Sequence, residues 1–185
     1  MSLWGNDIKP KNLTDAEKKE VFANTKGWVR EAGSILSGNG NTSADPEVLV
    51  AIGGLSANMG SANITELEFI TTAFDKSDGG TLQVRARFNE PVTVSGTPQL
   101  TVVNDSRANH TLSYASGSTT NELVFSLTIA AANAATNAGD ELSLGANAIS
   151  LNGGTIKDTG QSGTNATITN AASIGTAAGT ITVAA

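Results

Sequence analysis

The chain has 185 residues, a formal net charge of -6 and no cysteine. That length suits one domain-sized core with an appendage. The acidic balance excludes the clustered Lys and Arg of a nucleic-acid or anionic-membrane footprint, and the missing thiols exclude disulfides, thiolate zinc sites and cysteine nucleophiles.

No apolar run approaches the roughly 18 residues of a spanning helix, and none follows the charges of the amino terminus, so neither a membrane segment nor a signal peptide is expected. Charge usage divides the chain near residue 60: six Lys/Arg and seven Asp/Glu precede it, five and ten follow. The first part reads as a solvated arm with local helix, the second as a β domain.

In the arm, Thr14 and Glu17 have capping-box spacing, which predicts a short helix from about Asp15 to Ala23, with Gly27 beyond its end. Its apolar residues, Leu13, Ala16, Val21 and Phe22, make a narrow stripe. A helix this short is marginal in water and needs something to dock on. The run SGNGNTSADP then reads as a loop. Val48 to Ile52 (Val48, Leu49, Val50, Ala51, Ile52) is a continuous apolar run, suited to a strand buried on both faces or added to a neighbour's sheet.

Beyond residue 65 the period-two signal strengthens. Leu82, Val84, Ala86 and Phe88 point one way while Gln83, Arg85 and Arg87 point the other, and Leu123, Phe125, Leu127 and Ile129 alternate similarly. Strands are expected near 66–73, 81–88, 98–103, 110–115, 122–130, 141–151 and 164–169, with a further one at 180–183. Pro91 and Pro98 lack backbone donors, so the segment between them reads as a strand ending at Asn89, a proline-stiffened edge at Val92 to Val94, and a new strand from Gln99.

Short strands at this spacing predict an all-β chain: an immunoglobulin-like β-sandwich over 61–172, an N-terminal extended arm containing a short helix over 1–60, and a tail over 173–185 that offers an added strand.

Three phrases in order, DGGTLQVRARFNEPVTVSGTPQLTV, HTLSYASGSTTNELVFSLTIAA and GDELSLGANAISLNGGTIKDTG, resemble the SwmB-like, immunoglobulin-like repeats of bacterial surface proteins and adhesins over about residues 65–170. The chain departs from them in carrying one copy rather than an array. The resemblance implies a domain that displays or connects, with no catalysis.

WGN, KPKNLT, EKKEVFA, GWV and EVLVAIGGL in the arm resemble the amino-terminal module of structural proteins from T4-like tailed phages of cyanobacteria. That resemblance implies a virion component: a capsid (head) decoration protein on the surface of the phage particle, present in multiple copies and partnered by the major capsid protein or another virion protein. A host- or glycan-binding adhesin module, associated with a tail or fibre, is the alternative.

Candidate chemistry is sparse. Asp75 and Asp78 in DKSDGG offer oxygen ligands for calcium, but two carboxylates make an Asx-Gly turn the simpler reading. Asp140, Glu141 and Asp158 read as turn and surface residues. His110 has no oriented partner or nucleophile in reach of a motif and reads as a strand-edge residue facing water. Glu66, Glu68 and Glu90 raise the idea of paired glycosidase acids, though outward-facing strand positions explain Glu66 and Glu68 more simply.

No enzyme activity, cofactor, metal, nucleic acid or membrane is therefore expected. Trp4 and Trp28 lie where little core is evident, so they either anchor an interface or fold back on the sandwich. With Phe22, Val48, Leu49, Val50 and Ile52 they form the candidate assembly interface.

Overall fold

The structure, a computed structural model, describes residues 13–24, 27–32, 47–51, 60–160 and 163–185. Among these the chain is mostly β, with two short helices. Trp4 and Ile52 lie outside the described residues.

The capping box forms as its spacing predicts. Glu17 N donates to Thr14 Oγ1, and Thr14 N donates to Glu17 Oε2 at 2.9 Å. The helix it starts, α1 (Asp15–Glu20), is shorter than expected and buries none of its residues. Val21 and Phe22 instead open a strand, β1 (Val21–Asn24), which pairs antiparallel with β2 (Gly27–Arg30); β2 pairs in turn with β3 (Glu47–Ala51). A β-branched and an aromatic residue at the end of a six-residue helix gain more from a ladder than from another helical turn. The expected helix to Ala23 is thus corrected, and Gly27 begins a strand.

The remaining strands are β4 (Ile64–Phe69), β5 (Phe74–Asp75), β6 (Gly80–Ser95), β7 (Gln99–Asn104), β8 (His110–Ser116), β9 (Thr120–Ile129), β10 (Glu141–Ser143), β11 (Ile149–Ser150), β12 (Thr155–Asp158) and β13 (Thr180–Ala184). The second helix, α2 (Ala172–Thr176), lies between the last two. Hydrogen bonding links them in the order β12-β6-β9-β8-β7-β10-β13-β5, with β4 added to β6 and β11 to β7.

One apolar core serves this sheet. Leu82, Val84, Ala86 and Phe88 of β6 and Leu123, Phe125 and Ile129 of β9 are buried in it, as their alternation requires. Leu127 is only partly buried. Ile181 and Val183 of β13 belong to the same core, because β13 lies inside the sheet between β10 and β5.

Several expected boundaries are corrected. The 141–151 strand is two short pieces separated by a turn, both paired with β7 and the first also with β13, and 164–169 contributes isolated bridges, Asn63 to Thr167 and Lys157 to Asn165. β12, with the closing LNGGT turn before it, was not anticipated as a strand.

The larger correction concerns β6, which does not end at Asn89 and is no edge there. It runs on to Ser95, paired with β4 through Phe88 and with β12 from Val92. Pro91 stands where one partner gives way to the other, opposite a register shift against β9 between Arg87 and Val92. A missing donor is harmless at that point, and the Pro91 carbonyl accepts from Thr159 N at 3.0 Å.

Candidate functional site

The strand periodicity that sends Leu82 to Phe88 inward sends Arg85 and Arg87 to the opposite face, yet both are buried, Arg87 to 3 % exposure. Neighbouring strands and α1 cover them. Glu66 and Glu68 come from β4, Glu122 from β9, and together they form a charged row across three strands.

Arg87 Nη1 donates to Glu66 Oε2 and Glu68 Oε2 at 2.8 Å each, and its Nε to Glu122 Oε2 at 3.2 Å. Arg85 Nε donates to Glu68 Oε2 at 2.9 Å. Guanidinium forks hold carboxylates in this way because several donors lie in one plane. Burial works to raise the Glu66 carboxyl, but hydrogen bonds from Lys18 and Arg87 outweigh it and hold it below the usual range. In Glu68 the same opposition is won by Arg85 and Arg87. Glu66 and Glu68 are thus ion-paired partners of arginine, and neither is free to act as a proton donor.

α1 lies on this row. Lys18 Nζ meets Glu66 Oε1 at 3.0 Å, Lys19 Nζ lies 3.6 Å from Glu122 Oε1, and Asp15 pairs with Arg85 and stands 3.7 Å from Arg87 Nη2. Asn121, buried at the start of β9, donates through Nδ2 to the carbonyls of Val21 at 2.9 Å and Lys18 at 3.3 Å. Charge pairs and one amide therefore tie the described part of the arm to the β domain.

Next to the helix the arm has a small core of its own. Val21, Ala23 and Trp28 are buried together, with Leu13 and Leu49 packed against them. Trp28, 5 % exposed, is thus covered within the chain, in the arm's own cluster. Phe22 is half-buried, its side chain on the opposite face of β1 from Val21 and Ala23. Val48 is 42 % exposed, and Val50 stands opposite Trp28 in the ladder of β2 and β3. A cavity of about 50 Å³ remains between the arm and the domain, lined by Leu13, Val21 and Trp28 on one side and Arg87, Phe88 and Asn121 on the other.

The other candidate residues are placed elsewhere. Asp75 Oδ1 accepts from Ser77 N and Ser77 Oγ at 2.7 Å each, and these hydrogen bonds hold its carboxyl low, as an Asx turn does. Among the described residues no three His, Cys, Asp or Glu side chains are grouped to hold a metal ion, and no helix is long and apolar enough to cross a membrane.

Three polar residues expected at the surface are buried. His110 is 4 % exposed, burial pushing its imidazole down against the opposing charge of Asp140. Asp140 accepts from Asn104 Nδ2 and Asn137 N at 2.9 Å each and lies 3.5 Å from Arg107 Nε, organising the loop before β10. Asp158 accepts from Ala62 N at 3.1 Å and Gly160 N at 2.7 Å, so it binds the start of the β domain to the end of β12. The two aspartates escape a reading of the sequence because turn-like neighbours hide a carboxylate that folds inward onto backbone and amide donors.

The sequence missed the charged row, although its signal is present: acidic residues alternating at 66 and 68, and basic ones at 85 and 87, have the spacing of facing strand positions. Comparison with protein-family models, curated proteins and solved structures returned no match for this chain.

Proposed function

We propose that this chain is a structural protein of a phage particle, a head decoration protein whose amino-terminal arm attaches it and whose β domain, an immunoglobulin-like sandwich, is displayed. The observation that carries the reading is the division of apolar packing into two clusters, one large core in the β domain and one small cluster in the arm. A small three-stranded sheet with exposed Val48 at its outer strand suits attachment by strand addition, in which backbone hydrogen bonds supply affinity. The ordered phrases resembling surface-protein repeats and phage structural proteins give the setting.

Many weak attachments on a regular lattice hold firmly through avidity. The charged row supports no catalytic role, because its carboxylates are committed to arginines.

The test is occupancy on purified particles that lack the native protein. The full chain is expected to bind at a fixed number of copies per particle, and a chain lacking residues 1–60 to bind none. Equal occupancy by both would sink the arm as the attachment element. Binding of the armless domain to host cells, with no binding to particles, would favour the adhesin module.

A further inference from the structure

We propose that α1 with β1–β3 is an ion-pinned strap, one that opens from the β domain as a unit while that domain stays folded. The strap is closed in this structure. Opening would wet the sides of Leu13, Val21 and Trp28 that line the arm's side of the cavity.

The ion pairs and the amide that cross the junction among the described residues separate without disrupting either side. α1 buries no residue, and it holds the domain through Lys18–Glu66, Lys19–Glu122, Asp15–Arg85 and the Asn121 amide. The strap keeps its apolar cluster when it leaves, because Val21, Ala23, Trp28 and Leu49 all belong to it. The domain keeps its charges paired: without α1, Arg85 and Arg87 still have Glu68, Glu66 and Glu122. That row, two arginines against three glutamates, has one negative charge in excess. The two lysines and one aspartate that α1 brings to it complete the balance, so the closed state is favoured electrostatically and weakened by salt.

The chain supplies its own reporter. Both tryptophans, Trp4 and Trp28, precede the β domain, so tryptophan emission follows the arm while far-UV circular dichroism follows the strands. A Trp4→Phe background isolates Trp28. Urea titrations of the full chain are run at low and at high sodium chloride. The expected result is a red shift of Trp28 emission at lower urea than the loss of β signal, with salt widening the gap.

Lys18→Gln with Lys19→Gln, which removes a half-buried and an exposed partner and leaves the arginines untouched, should raise the opening constant on the order of tenfold at low salt. It should leave the circular dichroism midpoint in place. Coincident emission and dichroism transitions under all salt conditions, or lysine substitutions that shift both together, would overturn the strap.

Particle occupancy separates this idea from the functional one. A strap that opens in a chain that never joins particles removes the attachment role and leaves the strap. Coincident transitions in a chain that does join them remove the strap alone.

Discussion

Glu90 stands one residue before Pro91, at the point where β6 changes partners, and it is buried to 9 % exposure with Oε1 lacking a hydrogen-bond partner. Burial, reinforced by the charge of Asp158, pushes its carboxyl up to about 7. An acid whose folded value lies above its unfolded one binds its proton more tightly in the folded state. Folding is then disfavoured as pH rises from about 4.5 through 7, and the loss is complete above that range. The shift corresponds to at most about 3 kcal/mol. Glu90→Gln removes the titration while keeping the shape. Thermal melts at pH 5 and pH 8 should therefore show the variant gaining on the native chain at the higher pH, with little difference at the lower. A parallel pH profile for the two proteins would mean that Glu90 ionises freely, with Asp158 no obstacle.

Among the elements, the hairpin of β8 and β9 was the most legible, and the reason is local chemistry. Gly117 in the SGST turn has φ of +107°, and a side chain there would overlap the Glu122 carbonyl oxygen. Ser118 completes the turn: its N donates to the Tyr114 hydroxyl at 2.8 Å, and its Oγ accepts from Val94 N at 2.9 Å, tying the hairpin to β6. Gly117→Ala should lower stability by more than about 1 kcal/mol, measured by urea unfolding, since neither the backbone angle nor the space suits a methyl group. An unchanged midpoint would show that the turn relaxes freely.

β6 was misread for the opposite reason. Its strand continuity depends on β4 and β12 arriving on one side at different places, a tertiary fact that the local sequence around Pro91 cannot carry. β1 was missed likewise, because Val21 and Phe22 follow a well-capped helix and only pairing with β2 decides the ladder over another turn. His110, Asp140 and Asp158 carry no local mark of burial, whereas the inward residues of β6 and β9 announce theirs by alternation.

For the whole molecule, the decisive question is which residues the β domain needs in order to stand without its arm. Among the described residues, every member of the main core lies at or beyond Ala62, so none before it belongs to that core. Removing residues 1–60 uncovers Arg85 and Arg87 but leaves their glutamate partners, and a charge pair re-exposed to water costs little. The opposite end differs. Ile181 and Val183 of β13 are core residues, and β13 is hydrogen-bonded to β10 on one side and to β5 on the other.

A chain ending at residue 172 loses both side chains and leaves the inner edges of β10 and β5 unpaired. Loss of a buried Ile or Val typically costs on the order of 1–4 kcal/mol each, a large share of the stability of a domain this size. The chain 61–185 is therefore expected to melt in one cooperative transition near that of the full protein. The chain 61–172 should aggregate or melt without cooperativity. Equal, cooperative melting of both fragments would show β13 to be an accessory strand, whereas failure of 61–185 alone would mean that the charged row needs α1 to fold.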